Sequence, residues 1–137
     1  TTEPDWSSKL APGGTGLREF HPLVIALASG ANFIARAFSG DPNGCAALIA
    51  EAVRHPGFSF VEVLSPCVTF RPEQREWKTR VHEAPVEATD DPGRAARRLM
   101  TDDGFNVGVL YKGKRAPYQP ANGGAQSIED LECQFRL

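Results

Sequence analysis

The sequence contains no CxxC pair. Its three cysteines, Cys45, Cys67 and Cys133, are odd in number and widely spaced. That argues against a self-contained zinc site or disulfide framework. There is no excess of charge of one sign: the net charge is -2. Proteins that bind nucleic acid usually carry a strongly basic domain, so nucleic acid is not expected as the main partner. There is no long apolar run either. The longest, "PLVIALASGA", is too short to span a bilayer and lacks the basic flank of a signal peptide. A cytoplasmic protein with no membrane association is therefore expected. The one methionine is Met100 and the chain begins at Thr1. "TTEPDW" reads like a cut through a longer polypeptide.

What is present suits one domain with a real core: 137 residues, 41% of them hydrophobic. Residues 1–21 carry Pro4, Pro12 and three glycines and little apolar periodicity. They read as an extended arm. "HPLVIALASG" predicts a short helix, with Pro22 in the first turn and Gly30 as the stop. Its apolar residues cover all sides, so burial all round is expected. "NFIARAFSG" predicts a strand from about Phe33 to Phe38. In "DPNGCAALIAEAVRHPG", Asp41 can cap a helix and Pro42 can open it. Leu48, Ile49, Ala52 and Val53 are expected on its inner face. "FSFVEVL" predicts a strand covered on both faces.

Strand, helix, strand is a βαβ unit, with parallel strands and a right-handed crossover expected. Beyond it, "RPEQREWKTRVHE" predicts an amphipathic helix with Trp77 and Val81 inward. "DPGRAARRLM" predicts a helix starting near Pro92, and "FNVGVLYKG" a last strand. The tail mixes a Pro/Gly-rich loop with a possible short terminal helix. The fold class is α/β: part of a doubly wound, mainly parallel sheet.

Few motifs carry chemistry. "APGGTG" lacks the lysine of a phosphate loop and follows no strand, so it reads as a plain loop. Lys112, Lys114 and Arg115 read as a solvated strand end, with partner docking as the alternative. His21, His55 and His82 have no carboxylate or cysteine at useful spacing. Cys67, in "VLSPCVTF", stands apart. Pro66 cannot extend a strand ladder. The thiol therefore falls on a bend at the carboxyl end of a strand, where open α/β sheets hold ligands. A thiolate there can attack a substrate or bind a soft metal. Sequence offers neither a nearby base nor three further ligands, and a small packed thiol is the third reading. The residues alone leave these open.

The stretches "ALASGANFIARAFSGDP" and "GFSFVEVLSPCVTF" resemble the second half of the β subunit of 2-oxoacid:ferredoxin oxidoreductases, the 2-oxoglutarate-using members above all. "EWKTRVHE", "DPGRAARRLM" and "FNVGVLYKG" continue the resemblance to about Gly113. It implies a sheet of the thiamine-diphosphate-binding type and oxidative decarboxylation of a 2-oxoacid. The products are an acyl-CoA and CO2, with ferredoxin reduced. The cofactors implied are thiamine diphosphate, Mg2+ and a [4Fe-4S] cluster. The partners implied are an α subunit, the missing N-terminal β half, ferredoxin, the 2-oxoacid and coenzyme A. One site residue carries over: Cys67, as the fourth cluster cysteine. No catalytic or diphosphate-binding residue carries over.

The family's CPGCG-type and GDGD-type motifs are absent. The chain therefore looks like the C-terminal half of such a subunit: arm 1–21, half-domain 22–113 and tail 114–137. Cys45 and Cys133 match no cluster position and are expected to be structural. Two other classes remain at this stage. One is a thiamine-diphosphate decarboxylase-like segment without a cluster. The other is a non-catalytic subunit-assembly domain.

Overall fold

The computed structural model describes residues 20–117, together with Ser7, residues 12–14 and Gly16. The possible terminal helix, Cys133 and most of the arm lie outside the described residues. The elements are α1 (Pro22–Ala28), β1 (Phe33–Phe38), α2 (Pro42–Arg54), β2 (Ser59–Leu64), α3 (Trp77–Arg80), β3 (His82–Glu83), α4 (Pro92–Thr101) and β4 (Asn106–Lys112). A 3-10 turn, Pro72–Glu76, precedes α3.

The four strands are ordered β2-β1-β4-β3. β1 and β2 are parallel, as a βαβ unit requires, and β3 and β4 are parallel. β4 runs antiparallel to β1, with a register shift between Ile34 and Ala35.

Helices cover both faces of β1, which explains why "FIARAF" shows no apolar–polar alternation. Ile34 packs on one face with Leu23 and Ala26 of α1, Ala95 and Leu99 of α4, and Tyr111. Phe33 and Ala35 pack on the other with Ala52, Leu48, Val61 and Val109. Phe33 and Ile34 are fully buried. Each such side chain contributes about 1.5–3 kcal/mol of transfer free energy.

The local signals act as expected at the helix starts. Pro22, Pro42 and Pro92 each open a helix. The Asp41 carboxylate accepts the Gly44 N–H at 3.1 Å, and Asp91 accepts that of Arg94 at 3.0 Å. Gly30, at φ +90°, ends α1 in a conformation that side chains disfavour.

Four expectations need correction. First, α1 is not buried all round among the described residues: Leu23 and Ala26 are buried, while Ile25 is exposed. Second, α2 turns Leu48 and Ala52 inward but leaves Ile49 and Val53 exposed. The helix is rotated so that the Leu48–Ala52 side meets the sheet. Third, β2 is only half-covered, with Val63 exposed, because it lies at the edge where the helix layers end.

Fourth, the segment from Arg71 to Glu83 is not one helix. It is a 3-10 turn, one turn of α-helix and a short strand. The strand wins at its end through main-chain bonds. His82 N–H donates to Phe105 O at 3.2 Å and Ala84 N–H to Val107 O at 3.1 Å. Trp77 does point inward, edge-on to Phe105 with ring centroids 5.6 Å apart. Among the described residues no helix is long and apolar enough to cross a membrane.

Candidate cluster-ligand loop at the carboxyl end of the parallel strands

β1 and β2 end side by side: Phe38 is in register with Leu64, and Ser39 N–H donates to Leu64 O at 3.0 Å. The loop leaving β2 carries Ser65, Pro66 and Cys67. Cys67 is exposed and its thiol is free. Its main chain is not free. Cys67 O accepts the Arg71 N–H at 2.8 Å, closing a turn over residues 68–70. Cys67 N–H donates to Gln74 Oε1 at 2.8 Å. Gln74 is buried in spite of its polar side chain. The loop thus presents the sulfur outward on a backbone pinned at both its donor and its acceptor. Val68 and Phe70 are exposed beside it.

Charge near the loop is organised. Arg71 hydrogen-bonds Glu73, which holds the Glu73 carboxyl below its ordinary value of 4.5.

Within the strands that precede this loop lies a feature that sequence reading missed. Arg36, on the Ile34 face of β1, is buried. Its Nε donates to Glu62 Oε2 at 2.6 Å, and its Nη1 to Asp102 Oδ2 at 2.8 Å and Asn106 O at 3.3 Å. Asp102 also accepts the Gly104 N–H. One guanidinium thereby ties β1, β2 and the turn between α4 and β4. The available signal was positional: Arg36 and Glu62 are each the fourth residue of their strand.

The other expected residues fall away from Cys67. Cys45 is half-buried in α2 and lines a cleft of about 460 Å³ with Ala37, Leu48, Val107 and Val109. His82 does have a carboxylate neighbour in space, Asp103 at 3.7 Å, which its sequence surroundings did not reveal. His55 Nε2 lies 3.2 Å from Asn32 Nδ2 and its ring packs on Phe33. Lys112 and Lys114 are exposed at the strand end, as expected, and pair with Glu51 at 2.9 Å and Asp90 at 2.5 Å. In "APGGTG", Pro12 and Gly13 form a turn.

Among the described residues no three His, Cys, Asp or Glu side chains converge as a metal site. The loop therefore offers a single exposed sulfur, a soft donor, at the strand end. It does not supply a complete four-cysteine set within the described residues.

No family model matches the chain. Individual relatives do. The β subunit of a Sulfolobus 2-oxoacid:ferredoxin oxidoreductase is 27% identical over 112 residues, 71% of this chain and 37% of the relative. The β subunit of 2-oxoacid:ferredoxin oxidoreductase 2 from Aeropyrum pernix is 29% identical over 126 residues, 80% of this chain and 41% of the relative. A 2-oxoglutarate synthase subunit KorB from Archaeoglobus fulgidus is 38% identical over 69 residues, 50% of this chain and 26% of the relative. In structure, the chain is similar to 2-oxoglutarate:ferredoxin oxidoreductase from Magnetococcus marinus, at TM-score 0.73 and 30% identity. That alignment covers 85% of this chain and 42% of the other.

Over most of its length the chain is similar to part of the β subunits of 2-oxoacid:ferredoxin oxidoreductases. It spans less than half the length of the oxidoreductase subunits it matches. The α/β fold is shared with the oxidoreductase from Magnetococcus marinus, whose structure has 2-oxoglutarate, coenzyme A and succinyl-CoA bound.

Proposed function

We propose that this chain is a segment of the β subunit of a 2-oxoacid:ferredoxin oxidoreductase, with 2-oxoglutarate the favoured substrate. In the complete enzyme a 2-oxoacid and coenzyme A give the acyl-CoA, CO2 and a proton, and two ferredoxins each take one electron. The other β portion and an α subunit complete the enzyme, and its setting is the cytoplasm. The KorB relative and the 2-oxoglutarate-bound neighbour support the choice of substrate.

The observation that carries the reading is Cys67. In a chain similar to these subunits, the thiol of "SPC" stands exposed at the carboxyl end of β2, on a backbone pinned from both sides. Four cysteine thiolates complete a [4Fe-4S] centre. Cys67 supplies one of them. Such a centre, when bound, takes up and passes on single electrons. Thiamine diphosphate and Mg2+ belong to the complete enzyme and are assigned no ligand in this chain. This chain's own part is to hold one sulfur in place and to seat the strand end behind it through Arg36.

Iron and acid-labile sulfide analysis of the complete enzyme tests this, with Cys67→Ser and Cys45→Ser compared. Serine replaces a soft thiolate by a harder, less acidic hydroxyl. Cys67→Ser is expected to lose or labilise the cluster and to cut ferredoxin reduction sharply. Cys45→Ser is expected to alter stability at most. Unchanged iron, spectrum and ferredoxin reduction in Cys67→Ser would leave Cys67 as an exposed loop thiol with no ligand role.

A further inference from the structure

We infer that Gln74 is a positioning residue for Cys67: its buried side-chain carbonyl takes the Cys67 N–H and so fixes which way the sulfur points. For its electronic consequence the inference rests on the ligand reading above. For its geometric part it stands on contacts within this chain.

Gln74 is 9% exposed, on the 3-10 turn after the loop. A polar side chain pays for burial only by hydrogen bonding. Its Oε1 meets the Cys67 N–H at 2.8 Å. Two further main-chain bonds close the same small ring. Arg71 N–H donates to Cys67 O at 2.8 Å, and Gln74 N–H donates to Arg71 O at 2.9 Å. The path from Cys67 to Gln74 is thus held at both ends, and the side chain of Gln74 is its final clasp. Pro66 restricts the backbone just before the cysteine. This clasp also accounts for the break in the expected helix. Gln74 turns back to the loop, and the chain around it is 3-10 rather than α.

The bond has a second effect. An amide N–H beside a cysteine can donate to its own thiolate or to a cluster sulfide, and hydrogen bonds to the sulfurs help to set the potential of such centres. With Gln74 Oε1 as its acceptor, the Cys67 N–H is withheld from sulfur. Gln74 then contributes to a lower reduction potential than the loop would give without it.

Two variants test this in the full chain and in the complete enzyme. Gln74→Leu keeps bulk and removes the acceptor. Gln74→Glu keeps an acceptor at the same place. In the cluster-free full chain, the alkylation rate of Cys67 by iodoacetamide is expected to change several-fold in Gln74→Leu and to return towards the original in Gln74→Glu. In the loaded enzyme, Gln74→Leu is expected to raise the midpoint potential and alter the electron paramagnetic resonance signature, with iron content retained. If Gln74→Leu leaves both the alkylation rate and the potential unchanged, the clasp is only packing and the inference fails. Should Gln74→Leu not fold, an alkylation rate in Gln74→Glu far from the original overturns it equally. Failure of the ligand reading looks different: Cys67→Ser keeps its iron, while alkylation still decides whether Gln74 orients the thiol.

Discussion

Arg36 and Glu62 stand directly opposite each other on neighbouring parallel strands, joined Nε to Oε2 at 2.6 Å. Their side chains are 8% and 15% exposed, and that of Asp102, the second partner of Arg36, is 9% exposed. Removing the guanidinium strands two carboxylates whose side chains are mostly covered. Arg36→Met is therefore expected to cost about 3–5 kcal/mol. Arg36→Lys has one ammonium in place of a planar fork and recovers only part of that. Urea unfolding of the three proteins measures the order. Equal midpoints for wild type and Arg36→Met would falsify the tie between the strands.

At the other end of the sheet, Asn32 does comparable work with neutral groups. Its Nδ2 donates to Pro56 O at 2.9 Å and Arg115 O at 3.0 Å, while its Oδ1 accepts the Arg115 N–H at 3.1 Å. Asn32→Asp turns the donors into lone pairs facing carbonyls. A loss of about 1–3 kcal/mol per stranded group is expected. Gly113 sits against the same amide: a Cβ there would lie 2.5 Å from Asn32 Oδ1 and 2.6 Å from the Tyr111 hydroxyl oxygen. Gly113→Ala is expected to cost about 1–3 kcal/mol through overpacking. Thermal melts of both variants check this, and a melt as high as wild type for either one counts against the Asn32 latch.

The described surface leaves large apolar side chains uncovered, among them Ile25, Ile49, Val53, Phe58, Val63 and Phe70. Exposed apolar patches and open sheet edges promote association. The chain expressed by itself is expected to self-associate. Val53→Lys, at a position 80% exposed, should reduce this while moving stability by no more than about 0.5 kcal/mol. Light scattering against concentration reads the outcome. A monodisperse, cooperatively unfolding monomer would contradict the expectation.

Lys114 Nζ lies 2.5 Å from Asp90 Oδ2. The hydrogen bond and charge of Lys114 hold the Asp90 carboxyl below its ordinary 3.8, and Asp90 raises Lys114 above its ordinary 10.5. The Asp90 contribution is present above pH 3.8 and is lost as pH falls through the lowered value. The Lys114 contribution is present below pH 10.5 and is lost as pH rises through the raised one. Both groups are exposed, so the stabilising effect is small and screened by salt. Carboxyl titration by nuclear magnetic resonance is expected to place Asp90 below 3.8 and to move it back up towards 3.8 in Lys114→Ala. An Asp90 midpoint that ignores Lys114→Ala would show that the pair does not persist in solution.

Much of the scaffold was legible in the residues themselves. Pro at a first helical position, Asp before it and Gly after the last turn act within one or two turns of chain. The starts of α2 and α4, the limits of β1 and the βαβ order accordingly followed from local chemistry. So did the placement of Cys67, because a proline at a strand end forces the exit whatever packs nearby.

Tertiary structure decided what depends on which surfaces meet. Periodicity put Ile49 and Val53 with Leu48 and Ala52, but the way α2 lies on the sheet turns only Leu48 and Ala52 to the core. The segment from Arg71 to Glu83 has helical periodicity, yet pairing of His82 and Glu83 with β4 supplies main-chain bonds from residues more than twenty positions away. Arg36, Glu62 and Asp102 are ordinary charges in the sequence. They become one buried ion group only when the parallel register and the α4–β4 turn bring them together. Gln74 is the same case on a smaller scale: a glutamine in a polar stretch has no assigned acceptor or donor until the loop folds the Cys67 N–H onto it.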